Sequence, residues 1–384
     1  MKGLVEISYQ FLLCVGLLFM TNGLLSCRHN RLNTKPSVHV QNNETPTPLV
    51  AISNANDKTL EIYHYASKVW DTSTCAWRFK PVATLGYRPD AIKALGAGIG
   101  DMRMHYTDGF RGRAISAFAI QGGRFLAIGA YVPQGNLVKG QKLWQYLFPA
   151  DQDPNNHAIE LLPNGNIAVA GYGNHPDNGY GNWIRIYNTA TDTSSNYAEA
   201  TLIGAHALLY DTVYHRLWAG GQMIVDGRAK HGIFAYVIGG SRYAPTIQED
   251  TTYRTVFPFG KPTDPTGVPD ALKWPHDLAP DYDDPNKLYY ADHTGVYIYD
   301  KIAKTLTATL GDSHRFFGED IAIKSVGKQA RGNYVVTEAW NPGISKYHTN
   351  KVDFYDSLTG TLLFSRYVDG YSVYRARIWT PIYL

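Results

Sequence analysis

The chain has 384 residues and a net charge of +3, and charged residues make up only 18% of it. This length is typical of one large domain. The small net charge, with basic residues interspersed among acidic ones, excludes nucleic acid as a partner attracted by bulk charge. Tyrosine is abundant, at 28 residues, and favours the half-buried faces of β-sheets. The composition therefore favours an all-β protein.

The N-terminus has the pattern of a targeting segment. Lys2 precedes the apolar run from Phe11 to Met20, which is too short to remain as a spanning helix. Leu24-Leu25-Ser26-Cys27 resembles the lipobox of bacterial lipoproteins. We predict a signal peptide over residues 1–26, and a lipidated Cys27 with a flexible tether over 27–48. The chain is then anchored in the bacterial cell envelope, with the periplasmic side of the outer membrane favoured; a plain secretory signal is the alternative.

From Leu49 onward, short strands alternate with turns rich in Gly, Pro, Asn and Asp. In the clearest unit, the apolar run Ala158–Leu162 is followed by the turn Pro163-Asn164-Gly165 and by a second strand over Ile167–Ala170. A third strand follows over Trp183–Tyr187. This order is typical of an antiparallel propeller blade.

Similar unit openings recur near residues 115, 157, 206, 276, 320 and 376. Propeller blades span roughly 40–50 residues, and longer gaps are loop insertions. We predict a single β-propeller over residues 49–384 with four-stranded antiparallel blades. Seven blades are favoured, with a weak extra unit in residues 85–110, and six is the alternative. The strand near Ala376 should close the ring by pairing with the N-terminal strands.

Blade geometry predicts where polar side chains converge. The first strand of a blade starts beside the central axis, and the loop between the second and third strands returns to that face. These positions hold His157, His206, His276, His175, Arg228 and His293. We expect His157, His175 and Arg228 to line one pocket, and His276 and His293 to lie close together. Converging imidazoles and an arginine suit acid–base chemistry on an anion, although each histidine alone also fits a hydrogen bond to a neighbouring blade.

The blades that open at Asn156-His157-Ala158, Ala205-His206-Ala207 and Pro275-His276-Asp277 resemble those of seven-bladed propeller polysaccharide lyases, and of related secreted bacterial propellers without a known role. Those lyases act on ulvan or on rhamnose–glucuronate linkages. The resemblance implies β-elimination from a uronate-containing anionic polysaccharide by a monomeric enzyme that needs no cofactor for its chemistry.

The resemblance also implies roles for individual residues. His157 and His175 are the paired catalytic histidines, and Tyr210 and Arg228 come from the next blade. Tyr172 is the alternative tyrosine. A structural metal, zinc or calcium, is expected on His276 and His293.

Two other functions fit parts of the sequence. The many aromatic side chains favour a non-catalytic glycan-binding or scaffold lipoprotein, because such rings stack on sugars. A quinone-dependent dehydrogenase propeller is less favoured, because the sequence shows no cofactor or haem motif.

Overall fold

A computed structural model describes residues 48–110, 113–152, 154–173, 181–191, 196–257, 275–293, 295–309, 322–339, 347–370 and 372–382. They belong to one compact unit, Thr47–Leu384. The predicted signal peptide, Cys27 and the tether up to residue 47 lie outside the described residues, as does His175. Within these ranges no helix has both the length and the apolar character needed to cross a membrane.

The described strands form six sheets, each antiparallel. Blade 1 contains β1 (Leu49–Asn54), β2 (Thr59–His64), β3 (Cys75–Phe79) and the C-terminal β25 (Val373–Ile378). Blade 2 contains β4 (Asp101–Phe110), β5 (Arg113–Gly122), β6 (Phe125–Ala130) and β7 (Lys142–Leu147). Blade 3 contains β8 (Asn156–Leu161), β9 (Ile167–Gly171), β10 (Trp183–Tyr187) and β11 (Tyr197–Thr201).

The second half of the chain continues the pattern. Blade 4 contains β12 (Ile203–Asp211), β13 (Arg216–Val225), β14 (Arg228–Gly240) and β15 (Pro245–Glu249), with β16 (Thr255–Val256) paired to β14. Blade 5 contains β17 (Asp277–Pro280), β18 (Lys287–Ala291), β19 (Val296–Asp300) and β20 (Thr305–Ala308). Blade 6 contains β21 (Ala322–Lys328), β22 (Tyr334–Ala339), β23 (Lys351–Tyr355) and β24 (Leu362–Tyr367). A short helix, α1 (Pro89–Lys93), and one-turn 3₁₀ segments at Ala83–Leu85 and Thr251–Tyr253 lie between strands.

The turn between β8 and β9 forms where the sequence predicts it. The Gly165 amide donates to the Leu162 carbonyl at 2.8 Å, and Gly165 has a φ of +84°. A side chain is strained at that φ, so glycine fits the position. The turn aligns β8 with β9 so that Leu161 faces Ile167. The predicted turn at Pro163-Asn164-Gly165 is confirmed.

The core lies between the blades rather than within them. Each of the six apolar clusters among the described residues joins two neighbouring blades, and together the clusters follow the ring round once. Trp144 of blade 2, for example, is fully buried with Ile159 and Trp183 of blade 3. Such burial between sheets is the main stabilisation a propeller has.

The described residues thus form six blades, the smaller of the two counts that the sequence allowed. The weak unit in residues 85–110 is not a separate blade. It contributes α1 and β4, the inner strand of blade 2. Residue 115 lies in β5, the second strand, so the opening expected there belongs instead to β4.

The ring is closed by the two ends of the folded region. β25 pairs antiparallel with β1, with Val50 facing Ile378 and Ile52 facing Ala376. β25 is therefore the inner strand of blade 1, as predicted, and the closure covers the inner edge of β1.

Candidate functional site

A cavity of about 610 Å³ opens at the face where the inner strands begin. Blades 3 to 6 supply its titratable arc, which we define as His157, Tyr172, His206, His276, His293 and Lys324. Blade 2 supplies glycines and amides. No aspartate or glutamate lines this cavity in the described part of the chain. The electrostatics of the lining therefore favour an anionic or neutral ligand over a cation.

One backbone carbonyl holds two side chains of the arc. Asn155, in a left-handed conformation with φ of +47°, accepts a hydrogen bond from His157 Nδ1 at 2.8 Å and another from the Tyr172 amide at 3.1 Å. Because Nδ1 donates to a carbonyl, neutral His157 carries its lone pair on Nε2. The His157 and Tyr172 rings lie 5.1 Å apart between centroids. Asn155 thus orients an imidazole with an acceptor Nε2 next to a phenol.

Burial sets the protonation of this pair. It lowers the pKa of His157 to about 3, and the positive charges of Arg375 and Lys324 act in the same direction, against the hydrogen bond to Asn155. Burial also raises the pKa of Tyr172. Near neutral pH, His157 is therefore a neutral imidazole and Tyr172 a protonated phenol.

His206 lies at the centre of a row of imidazoles. Its ring is 3.9 Å from that of His157 and 4.8 Å from that of His276, between centroids. The side chain is only 4% exposed, and neither ring nitrogen has a hydrogen-bond partner among the described residues. Burial, with the neighbouring His157 and His276, holds the pKa of His206 well below its usual value. A ligand in the cavity can satisfy these nitrogens.

His276, His293 and Lys324 form a second group in the arc. His276 Nδ1 donates to the Ile323 carbonyl at 2.9 Å, so its Nε2 is an acceptor in the neutral ring. Lys324 Nζ lies 3.0 Å from this Nε2, and His293 Nε2 lies 3.1 Å from it. Burial, together with the charge of Arg375, lowers the pKa of Lys324 to about 7. No carboxylate pairs with Lys324 among the described residues.

The pair His276 and His293 lies together as the blade geometry predicts, but the surroundings do not fit a metal. The described residues contain no group of three or more His, Cys, Asp or Glu side chains placed to hold an ion. The Lys324 amine is a donor to the same Nε2 that a metal would take, and its positive charge opposes a cation. The zinc or calcium ion expected on these two histidines stays a prediction, which this arrangement of side chains does not favour.

A network of buried charges lies below the cavity. Arg377 bridges two carboxylates, with Nη2 2.8 Å from Asp101 and Nη1 2.7 Å from Asp277. Arg375 contacts Asp101 at 2.8 Å and donates to the His276 carbonyl at 2.8 Å. Burial alone would raise the pKa of Asp101, but Arg375 and Arg377 lower it to about 2. The network ties the inner strands of blades 1, 2 and 5 together beneath the arc.

The structure separates Tyr210 from the histidines. Tyr210 lines a different cavity of about 30 Å³, with Arg103 and Tyr282. It lies four residues beyond His206 on β12, which corresponds to roughly 13 Å along a strand. The alternative tyrosine, Tyr172, is the one that lines the large cavity.

Arg228, like Tyr210, does not lie beside the histidines of the large cavity. It is exposed at the tip of the β13–β14 hairpin, opposite Val225, and it does not line the cavity. Gly220 pairs with Ala207, next to His206, and the tip of the hairpin lies five residues farther on, roughly 17 Å along a strand. Lys324 is the cation that lines the cavity instead. The sequence signal for it was a single lysine within the apolar opening of β21, Ala322-Ile323-Lys324-Ser325-Val326.

No protein-family model and no curated protein matches the chain. Among solved structures, a protein of unknown function from Bacteroides caccae matches with a TM-score of 0.49 and 11% identity, over 86% of this chain and 98% of that one. The dihydro-haem d1 dehydrogenase NirN, solved in complex with DHE, matches with a TM-score of 0.38 and 11% identity, over 88% of this chain and 57% of NirN. Both are β-propeller-like.

Proposed function

We propose that the cavity catalyses β-elimination in a uronate-containing polysaccharide, as in the propeller lyases that the sequence resembles. One observation carries the proposal. A neutral imidazole with an open Nε2, a protonated phenol and a lysine without a carboxylate partner surround one space of about 610 Å³. These are the three groups that such an elimination requires.

The elimination first requires a positive charge near the uronate carboxylate, and Lys324 supplies it. Removal of the C5 proton places negative charge beside the carboxylate of the uronate, and that charge must be stabilised. Lys324 lies at the buried side of the cavity, where its charge acts in a low dielectric. It takes the place that the sequence assigned to Arg228.

His157 is the proposed base. Its Nε2 lone pair is available because Nδ1 is committed to the Asn155 carbonyl. A pKa of about 3 makes this imidazole a weak base before substrate binds. A bound carboxylate raises it, because a nearby negative charge favours the protonated ring. The substrate therefore brings the base closer to the strength that proton transfer needs.

Tyr172 is the proposed acid. Burial raises the pKa of its hydroxyl, so the phenol keeps its proton until a leaving group takes it. Its ring lies 5.1 Å from both the His157 and the His206 rings, between centroids, which places acid and base on the same side of the cavity. The C4 oxygen of the uronate can then leave as a hydroxyl while His157 holds the C5 proton.

A non-catalytic glycan-binding protein is the second candidate, and one observation favours it. Tyr347 lines the cavity and is 62% exposed, as expected of a ring on which a sugar stacks. Incubation of the purified protein with uronate polysaccharides tests both functions. The lyase produces an unsaturated uronate with a new ultraviolet absorbance, whereas a binding protein retains the glycan and leaves it intact. No product from ulvan, arabinogalactan or other uronate glycans would overturn the lyase proposal.

A further inference from the structure

The part of the cavity wall that blade 2 supplies differs from the titratable arc. It is lined by Gly98, Gly100, Gln121, Gly122 and Gly123, which we call the neutral arc. None of these residues carries a charge or a titratable side chain. The cavity is thus divided into a reactive part and an uncharged part.

Glycine is required in the neutral arc because backbone lies against backbone. A Cβ on Gly122 would lie 2.0 Å from the Gly98 carbonyl oxygen, and one on Gly123 would lie 2.5 Å from that of Ala94. Gly98 and Gly123 also have φ values of +114° and +51°, which other residues rarely adopt. At these glycines the wall is therefore formed by backbone, which a ligand can approach more closely than it could approach larger side chains.

Gln121 is the polar side chain of this wall. It is 1% exposed, and neither Oε1 nor Nε2 has a hydrogen-bond partner among the described residues. Its backbone is fixed, because its carbonyl accepts from the Gly100 amide at 2.8 Å. Buried amides are normally satisfied at both atoms, so an unfilled donor beside an unfilled acceptor points to a ligand.

Asn156 adds a further acceptor at the same wall. Its Nδ2 donates to the Gly123 carbonyl at 3.2 Å, while its Oδ1 has no partner among the described residues. The side chain is therefore held in place with its oxygen unfilled. Gln121 and Asn156 together present one unfilled donor and two unfilled acceptors.

We propose that the neutral arc is a subsite for an uncharged sugar ring next to the uronate, and that Gln121 binds a pair of its hydroxyl groups. A hydroxyl both donates and accepts, so two of them satisfy both ends of one carboxamide. The cavity volume lies within the range of pockets that hold ligands larger than one sugar. The inference depends on the proposed function for the uronate in the other half of the cavity.

Binding measurements on the full chain test the subsite separately from catalysis. The probes are free glucuronic acid and a disaccharide in which glucuronate carries one neutral hexose. The wild type should bind the disaccharide roughly 5- to 100-fold more tightly, the range expected when buried polar groups become paired. Gln121→Leu should lose this gain and keep the wild-type affinity for glucuronic acid. Gln248→Leu, on the exposed outer strand β15, is the matched control and should keep the gain.

A second variant displaces the carboxamide without removing it. A Cβ on Gly100 would lie 2.8 Å from Gln121 Nε2, so Gly100→Ala should push the amide aside and also abolish the gain. Gly239→Ala is its control, because that Cβ meets only the Thr246 hydroxyl at 2.9 Å, outside the cavity. Circular dichroism and Tm confirm that each variant folds.

Each outcome decides the proposal. A wild type without any gain from the neutral hexose overturns the proposal. A gain that survives in Gln121→Leu also overturns it, whatever Gly100→Ala does, and the unpaired amide then holds water only. A gain that Gln121→Leu abolishes, in a protein that forms no unsaturated uronate, supports the subsite and overturns the lyase activity instead.

Discussion

The Nζ atom of Lys324 lies 3.0 Å from Nε2 of His276, and the imidazole is the acceptor in this contact. The tautomer of His276 is fixed because its Nδ1 donates a hydrogen bond to the Ile323 carbonyl. Burial and the charge of Lys324 both hold the pKa of His276 well below its usual value. The pair therefore titrates at the lysine, which loses its proton near neutral pH while the imidazole stays neutral.

This order of titration predicts how activity depends on pH. The charged form of Lys324 is needed to neutralise the uronate carboxylate, and the pKa of Lys324 is lowered to about 7. We expect kcat/KM, which reports the free enzyme, to fall as the pH rises through about 7. His157 contributes no change in this range, because its pKa is about 3.

Lys324→Arg is the variant that checks this assignment. A guanidinium keeps its charge at high pH, so the descending limb should move upward by more than one pH unit. Lys328→Arg, on the same strand but paired with Asp283 away from the cavity, should leave the profile unchanged. A limb that stays at the same pH in Lys324→Arg would show that another group controls it.

The lowered pKa of Lys324 predicts that this residue lowers the stability of the fold while it serves the reaction. Its pKa in the folded chain is lowered from 10.5 to about 7, so between these values the unfolded chain binds more protons. The wild-type free energy of unfolding should therefore rise with pH across that window. Below pH 7 the full free-energy cost of burying the charged amine is present. Lys324→Met should raise the Tm at pH 6, by less at pH 10, while abolishing activity. Thermal unfolding at both pH values measures the effect, and a Tm that falls at pH 6 contradicts it.

The roles proposed for His157 and Tyr172 predict that replacing either residue lowers the rate, whereas replacing Arg228 does not. His157→Ala should lower kcat by about 10²–10⁴-fold, and Tyr172→Phe by about 10²-fold or more, because each removes one group that moves a proton. Arg228→Ala should leave kcat within about 2-fold, since surface changes remote from a site have small effects. Initial rates with a uronate glycan measure all three. A loss in Arg228→Ala as large as that in His157→Ala would restore the role first assigned to Arg228.

The fold could be predicted because its signals are local. Turn residues such as Asn164-Gly165, and strand runs such as Trp183–Tyr187, are set by neighbouring positions in the chain. Ring closure by β25 also followed, since an unpaired C-terminal strand near the unit openings has few other partners. The blade count was harder, because β4 and β5 both have the pattern of an opening strand and only their pairing shows which is the inner one.

The site was predicted only in part, for the same reason. His157, His276 and His293 follow from their places in a blade, and the structure brings them to one cavity. Arg228 does not line this cavity, because the length of the β13–β14 hairpin, rather than its blade position, decides where the tip lies. Nothing in the sequence singled out Gln121 as a site residue, because a glutamine in a strand looks like an ordinary polar position. Its unfilled amide depends on glycines that are distant in the chain and pack beside it.

The network below the cavity yields the last prediction, which concerns stability. Arg377 is 3% exposed and joins Asp101 of blade 2 to Asp277 of blade 5 from its place in blade 1. Arg377→Met removes the cation that bridges the two buried carboxylates, while Arg375 stays next to Asp101 and Arg103 lies 3.7 Å from Asp277. Breaking a buried pair in this way typically costs about 3–5 kcal/mol. Urea unfolding should show this loss, and the loss should shrink at low pH as Asp101, whose pKa Arg377 helps to lower, becomes protonated.

Arg88→Met is the control for this loss. Arg88 pairs with Asp90 at the exposed start of α1, where solvent screens the charges, so the free energy of unfolding should barely change. If Arg377→Met is as mild as Arg88→Met, the bridge made by Arg377 contributes little to the stability of the inner strands. A large loss instead shows that the charges at the axis keep the inner strands in the register that places His276 and Lys324 in contact, because Arg375 of the same strand donates to the His276 carbonyl.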